Sequence, residues 1–180
     1  HIKTFRFALV VLLVVGLLSE AKAAYWDWKG KSEGVSYFDD SACWRRNGTT
    51  TINASNHWIG YGYASIAPGW DNTITSRMMF NLEATSGVHI KYTPAVIFVS
   101  ENNDPNFGVD SLSPLTVANT GDGAVEFRSG TYKFSSATVA LTSGCSGSIK
   151  ITDATFITGA FTGGSGTGLL EIDGGIVKAA

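Results

Sequence analysis

The sequence predicts an all-β protein whose strands wind into a β-solenoid, and three observations carry that prediction. The 180-residue chain holds 21 glycines against only four prolines, with many Thr, Ser, Val, Ile and aromatic residues. Beyond the first two dozen residues no stretch keeps a 3.6-residue apolar period, whereas short apolar runs bounded by turn residues recur. Near the C-terminus, three segments repeat one another, each aligned position offset by 24 and then 21 residues: VEFRSGTYKF, IKITDATFIT and LEIDGGIVKA, starting at 125, 149 and 170.

The first residues are set apart from the fold. Lys3 and Arg6 make a basic start, Phe7 to Leu18 is an almost unbroken apolar run, and SEAKAA places Ala21 and Ala23 at the small-residue positions of a cleavage site. Residues 1–23 therefore read as a secretory signal peptide cleaved after Ala23, and the mature chain as secreted or displayed on the outer cell surface. A membrane span needs roughly 20 apolar residues, and Glu20 and Lys22 close this run earlier. The chain begins with His1 and not Met, which suggests a start that is truncated or altered.

Loss of the leader removes Lys3, Arg6, Lys22 and Glu20, so 13 basic and 15 acidic residues become 10 and 14. A mildly acidic chain with no clustered Lys/Arg footprint disfavours a general nucleic-acid or anionic-membrane binder, so no nucleic acid is expected as a partner. The remaining 157 of the 180 residues suffice for one domain with a core.

Residues 24–48 place Tyr25, Trp26, Trp28 and Trp44 among charges, with Gly30, Gly34 and Gly48 breaking any long element. This segment is predicted to cap the end of an apolar core. The alternative is carbohydrate binding, because exposed Trp and Tyr faces stack on sugars.

Residues 49–180 are assigned to the solenoid. TTTINAS, HWIGYGYASI, SRMMFNLEA, GVHIKYT and AVIFVS read as short strands. Glu101 to Pro114 reads as the longest polar loop, with Pro105 and Pro114 excluding a regular strand.

The repeat is clearest over 115–180. Val125, Ile149 and Leu170 correspond, as do Phe127, Ile151 and Ile172, then Gly130, Ala154 and Gly175, then Tyr132, Phe156 and Val177. Alternate apolar positions turn one face of each strand inward, and the small residue between two strand pieces permits a sharp corner. One such unit cannot bury its apolar face alone, whereas stacked units bury it continuously. About 22 residues at roughly 3.3 Å each gives a circumference near 70 Å, which suits one coil. A β-sandwich with fortuitously similar strands is the alternative fold.

GSGTGLLEIDGGIVKAA (164–180) resembles the units of autotransporter-associated β-strand repeat proteins, with a Gly/Ser/Thr turn, a Leu-x-Ile strand and a Gly-Gly corner. GDGAVEFRSGTYKFSS is a weaker copy with Ser129-Gly130 at the corner, and GSIKITDATFITGA departs further with Asp153-Ala154. YWDWKG followed by ACWRRNGT is similar to the Trp-containing start of such bacterial surface proteins. The resemblance implies a right-handed parallel β-helix of 21–24 residues per rung, displayed on or released from a Gram-negative-type cell as a passenger or adhesin. The membrane barrel that would end an autotransporter does not follow Ala180, which implies a fragment or another export route.

Chemistry-bearing patterns are sparse. After the leader only His57 and His89 remain, both in strand-like runs, and there is no Gly-x-Ser-x-Gly elbow. Metal-ligand spacing is absent. Glu101, Asp104 and Asp110 with Asn102 and Asn103 offer oxygens to a Ca²⁺ ion, yet match no calcium-loop spacing and read as a solvated turn. Cys43 and Cys145 invite a disulfide in an exported protein, but several rungs between them exceed the roughly 7 Å a bridge allows, so separate thiols are favoured. The outward positions of the aligned rungs carry Glu126, Lys150 and Glu171, then Arg128, Thr152 and Asp173. These read as mixed-charge ladders and not as a catalytic carboxylate pair.

The sequence thus leads to a surface-exposed structural or adhesive solenoid without catalysis, cofactor or metal, its ligand unidentified. The alternative is a carbohydrate-active or carbohydrate-binding β-helix. Expected partners are surface glycans, or further copies meeting the open C-terminal edge.

Overall fold

In a computed structural model the described residues are 25–28, 30–46, 57–60, 63–66, 72–84, 87–90 and 95–180. The leader and its cleavage site, the TTTINAS run, and the side chains of Tyr25, Trp26 and His57 lie outside them. Among the described residues the chain is nearly all β, without an α-helix.

Two strands open the structure, β1 (Tyr25–Trp28) and β2 (Trp44–Arg46). After them the strands fall into triplets, each contributing one strand to each of three sheets. The first triplet is β3 (His57–Gly60), β4 (Tyr63–Ile66) and β5 (Thr73–Ser76). Then come β6 (Met79–Ala84), β7 (Gly87–Ile90) and β8 (Val96–Ser100), followed by β9 (Gly108–Ser111), β10 (Leu115–Val117) and β11 (Gly123–Phe127). Two more triplets are β12 (Thr131–Phe134), β13 (Ala137–Val139) and β14 (Ser146–Thr152), then β15 (Thr155–Thr158), β16 (Phe161–Gly163) and β17 (Thr167–Asp173), with β18 (Ile176–Ala179) after them.

Sheet A runs β16-β13-β10-β7-β4-β1-β2, sheet B β17-β14-β11-β8-β5, and sheet C β18-β15-β12-β9-β6-β3. Every third strand is therefore a hydrogen-bonded neighbour. Among the described residues every strand pair is parallel except that of β1 with β2, apart from one isolated antiparallel bridge between Thr152 and Gly174. This is a β-solenoid of stacked three-sided coils, and the sandwich alternative does not describe it.

The register matches the sequence repeat residue for residue. Val125 pairs with Ile149 and Ile149 with Leu170, while Phe127, Ile151 and Ile172 form the next inward column. Tyr132, Phe156 and Val177 do the same on sheet C. Inward residues fill one continuous core in which Phe98, Phe127, Tyr132, Phe134 and Phe156 are buried. At the other end Trp28, Phe38 and Trp44 are buried together, with Trp28 and Trp44 edge to face at 5.2 Å. The Trp44 indole donates to the carbonyl of Phe38 at 2.8 Å, so its polar tip is satisfied in place.

One sequence expectation is corrected. The Glu101–Pro114 stretch is not all loop: β9 lies within it, after a short 3-10 turn over Glu101–Asn103. Val109 is apolar and inward, and Ser111 is buried while its hydroxyl accepts from the backbone N–H of Ser113 at 3.0 Å. A locally satisfied serine can stand at an inward position, so the polar composition concealed a strand.

The coil closes at corners where the backbone turns left-handed. Ala118 and Ala140 take φ of 60° and 53°, one coil apart, and both are fully buried. Their N–H groups donate to Ile90 and Val117 of the preceding coil at 2.9 and 2.8 Å. A corner bond repeated at each coil offsets the roughly 1 kcal/mol that an Ala in this region costs.

Candidate functional site

Sheet B turns a ladder of charge outward, built by the alternation that sends Val125, Phe127, Ile149 and Ile151 inward. Glu126, Lys150 and Glu171 are successive register partners, and Thr152 and Asp173 are partners in the next column. The Glu126 carboxylate accepts from Arg128 of its own coil at 3.0 Å and from the Thr152 hydroxyl at 3.3 Å. Lys150 donates to Glu171 at 2.8 Å and lies 3.5 Å from Asp173. The Arg128 guanidinium holds the Glu126 carboxyl below its usual range, and Glu171 holds the Lys150 ammonium above its own. Each charge is thus answered by a neighbour, with Arg128 and not Lys150 the partner of Glu126.

A second cluster, not legible in the sequence, sits where the aromatic segment crosses the first coils. The Tyr37 hydroxyl donates to Glu101 at 2.7 Å, and Arg77 lies 4.4 Å over the Tyr37 ring. Arg77 also donates through Nε and Nη2 to one oxygen of Asp39, at 3.1 and 3.0 Å. Beside them Asp40 pairs with Lys31 and accepts from the Ala42 N–H at 2.8 Å. The bond to Lys31 draws the Asp40 carboxyl down, and the bond to Glu101 raises the Tyr37 phenol. The other Asp39 oxygen is buried without a hydrogen-bond partner. These residues lie 38 and 64 positions apart along the chain, and no local motif joins them.

The oxygen-rich turn does not converge on a cation position. Asp104 accepts from the N–H and the side-chain amide of Asn106, at 2.8 and 2.9 Å, closing a turn on itself. Asp110 instead pairs with Lys133 at 3.3 Å on sheet C, and Glu101 is engaged by Tyr37. Asn102 and Asn103 both take φ of 56°, a conformation asparagine tolerates. Among the described residues no three His, Cys, Asp or Glu side chains gather as metal ligands.

His89 stands on the outer face of sheet A between Ser65 and Thr116, its Nδ1 3.3 Å from the Asn119 amide. Cys43 is buried and Cys145 half-buried, and no disulfide joins them. Inside the coil, Ser76 and Ser100 are register partners, and Ser100 bonds to Ser129 through its N–H at 2.9 Å and its hydroxyl at 3.1 Å. The Tyr132 hydroxyl is buried beside Ser76, and burial pushes the phenol well above its usual range. Neither hydroxyl makes a well-formed hydrogen bond.

At the last coil the alternation continues but the cover does not. Ile149 and Ile151 are fully buried, whereas their partners Leu170 and Ile172 are 37% and 52% exposed. No family model, curated protein or solved structure matches the chain.

Proposed function

We propose that this chain is the structural or adhesive passenger region of an exported surface protein, similar in role to autotransporter-associated β-strand repeats, without catalysis of its own. The observation that carries this reading is the outer ladder of sheet B. Glu126 is engaged by Arg128, and Lys150 bridges Glu171 and Asp173. Mutually compensated charges on successive coils hydrate and space a rod without holding a carboxylate ready to take or give a proton. Beads coated with the protein, presented to a panel of immobilised surface glycans and to cultured cells, test the role. Retention that survives Glu126→Gln and Glu101→Gln agrees with adhesion by the rod. Chain cleavage of a polysaccharide in solution contradicts it.

The second reading, a carbohydrate-active β-helix, is favoured by one arrangement only. Glu101, Tyr37, Arg77 and Asp39 combine two carboxylates, a phenol and a guanidinium across adjoining coils. Incubation with acidic and neutral polysaccharides, followed by assay for reducing ends or unsaturated sugars, separates the readings. Activity lost in Glu101→Gln establishes the enzyme.

A further inference from the structure

We propose that the peptide bond between Asp104 and Pro105 is a self-cleavage site, at which the chain nicks itself in mild acid while the two pieces stay joined in one solenoid. The inference rests on one turn and not on an adhesive role. Residues 104–107 lie in the enlarged corner between β8 and β9, where Asp104 is half-buried and Pro105 and Asn106 are exposed, so water reaches the bond. A bond to proline is a tertiary amide, and its doubly alkylated nitrogen takes up a proton more readily than an ordinary peptide nitrogen. It is therefore the better leaving group.

The turn arranges its groups around that bond. The scissile carbonyl of Asp104 accepts from the Phe107 N–H at 3.2 Å, which polarises its carbon and answers charge that develops on the oxygen. The Asn106 N–H and side-chain amide both donate to Asp104 Oδ1, at 2.8 and 2.9 Å, and fix the carboxyl beside its own main-chain carbonyl. On the leaving side the Thr131 hydroxyl of the next coil donates to the Pro105 carbonyl at 2.7 Å, so the departing segment is held from β12. Glu101 before the turn is engaged by Tyr37, and Asp110 after it pairs with Lys133 of β12. Proton transfer at the bond thus falls to the Asp104 carboxyl itself.

In its protonated form that carboxyl attacks through Oδ2. An Oδ2–C bond to the Asp104 main-chain carbonyl carbon forms a five-membered anhydride as the bond from that carbon to the Pro105 nitrogen breaks. The carboxyl proton passes to the nitrogen, which leaves as a secondary amine. Water then opens the anhydride, giving Asp104 as a new C-terminus and Pro105 as a new N-terminus. On either side of the nick, β8 stays paired with β5 and β11, and β9 with β6 and β12. Neither piece leaves without breaking parallel pairs on both of its faces.

The full chain, held at about pH 4 where an ordinary aspartate is half protonated, is followed by mass spectrometry with and without unfolding urea. The expected product begins at Pro105 and forms about tenfold or more faster in the folded protein, because unfolding scatters the donors. It should elute with its partner piece as one species on size exclusion, the two parting only in urea. Pro105→Ala restores an ordinary peptide nitrogen and Asp104→Glu lengthens the ring, so both variants should stay whole over the same time. Circular dichroism of parent and variants in that buffer should match the neutral spectrum of the parent. A folded parent that stays whole overturns the proposal, as does cleavage equally fast in urea. A nick that Pro105→Ala retains, or pieces that part without urea, overturns it too.

Discussion

Phe98 and Phe127 are register partners on neighbouring coils, and their rings stack with centroids 5.1 Å apart and planes at 28°. Phe127 also touches Phe156 at 5.1 Å, and Phe98 touches Phe38 at 6.2 Å. An aromatic column therefore runs along the core and meets the Trp28, Phe38 and Trp44 cluster at the start of the coil. Each ring is covered by the coil before it and the coil after it. Stability is consequently a property of stacked neighbours, and a substitution should be felt according to how many neighbours it has.

Ile151 and Ile172 occupy the same column but differ in cover, being fully buried and 52% exposed. Ile151→Ala is expected to lower stability by about 2–5 kcal/mol in chemical denaturation. Ile172→Ala in the same 180-residue chain should cost below about 1 kcal/mol. Equal costs would mean that cover by a neighbouring coil does not set the cost.

Gly108 takes φ of 149°, and a Cβ there would run into the carbonyl of Thr131 in the next coil. Gly108→Ala is expected to destabilise by about 2 kcal/mol or more, because backbone and not a flexible side chain must yield. Gly121, where a Cβ would meet open space, is the control, and its alanine variant should unfold with the parent.

The paired charges set the pH dependence. The Glu126 carboxyl is held below its ordinary 4.5, so its contribution is present above that value and is lost as pH falls through the folded one. The Lys150 ammonium is held above its ordinary 10.5, so its contribution is present below that value and is lost as pH rises through the raised one. Glu126→Gln is expected to flatten the acid limb of the denaturation midpoint by tenths of a kcal/mol, in keeping with a solvated pair. An unchanged acid limb would mean that Arg128 does not favour the ionised form.

Tyr132 buries a hydroxyl beside Ser76 without a well-formed bond from either. Removing such a group is expected to be neutral or mildly stabilising, so Tyr132→Phe should shift stability by less than about 1 kcal/mol. Tyr132→Ala should cost about 3–5 kcal/mol through the cavity it leaves. A large loss in the phenylalanine variant would show that the hydroxyl is bonded.

The repeat was legible from 115 onward because the coils there differ little in length. Thr138 and Thr162 are partners 24 positions apart, and Lys150 and Glu171 are partners 21 apart. Upstream, Ser100 and Ser129 meet across 29 positions, because the 3-10 turn and the Asp104 turn enlarge one corner. That insertion moved β9 out of phase, and buried Ser111 further masked its inward side. The Tyr37, Arg77 and Glu101 cluster was illegible for a different reason. It is assembled by the aromatic segment crossing two coils, a juxtaposition that neither periodicity nor spacing encodes.

The parallel register itself is the central claim, and paired cysteines test it directly. Ala124 partners Ser148, and Glu126 partners Lys150. With Cys43 and Cys145 replaced by alanine, cysteine pairs at 124/148 and at 126/150 are predicted to cross-link on mild oxidation, their Cα atoms lying about 4.8 Å apart. A pair at 124/152 should stay reduced. Cross-linking of 124/152 together with 126/150, and not of 124/148, would mean antiparallel strands and would contradict the solenoid.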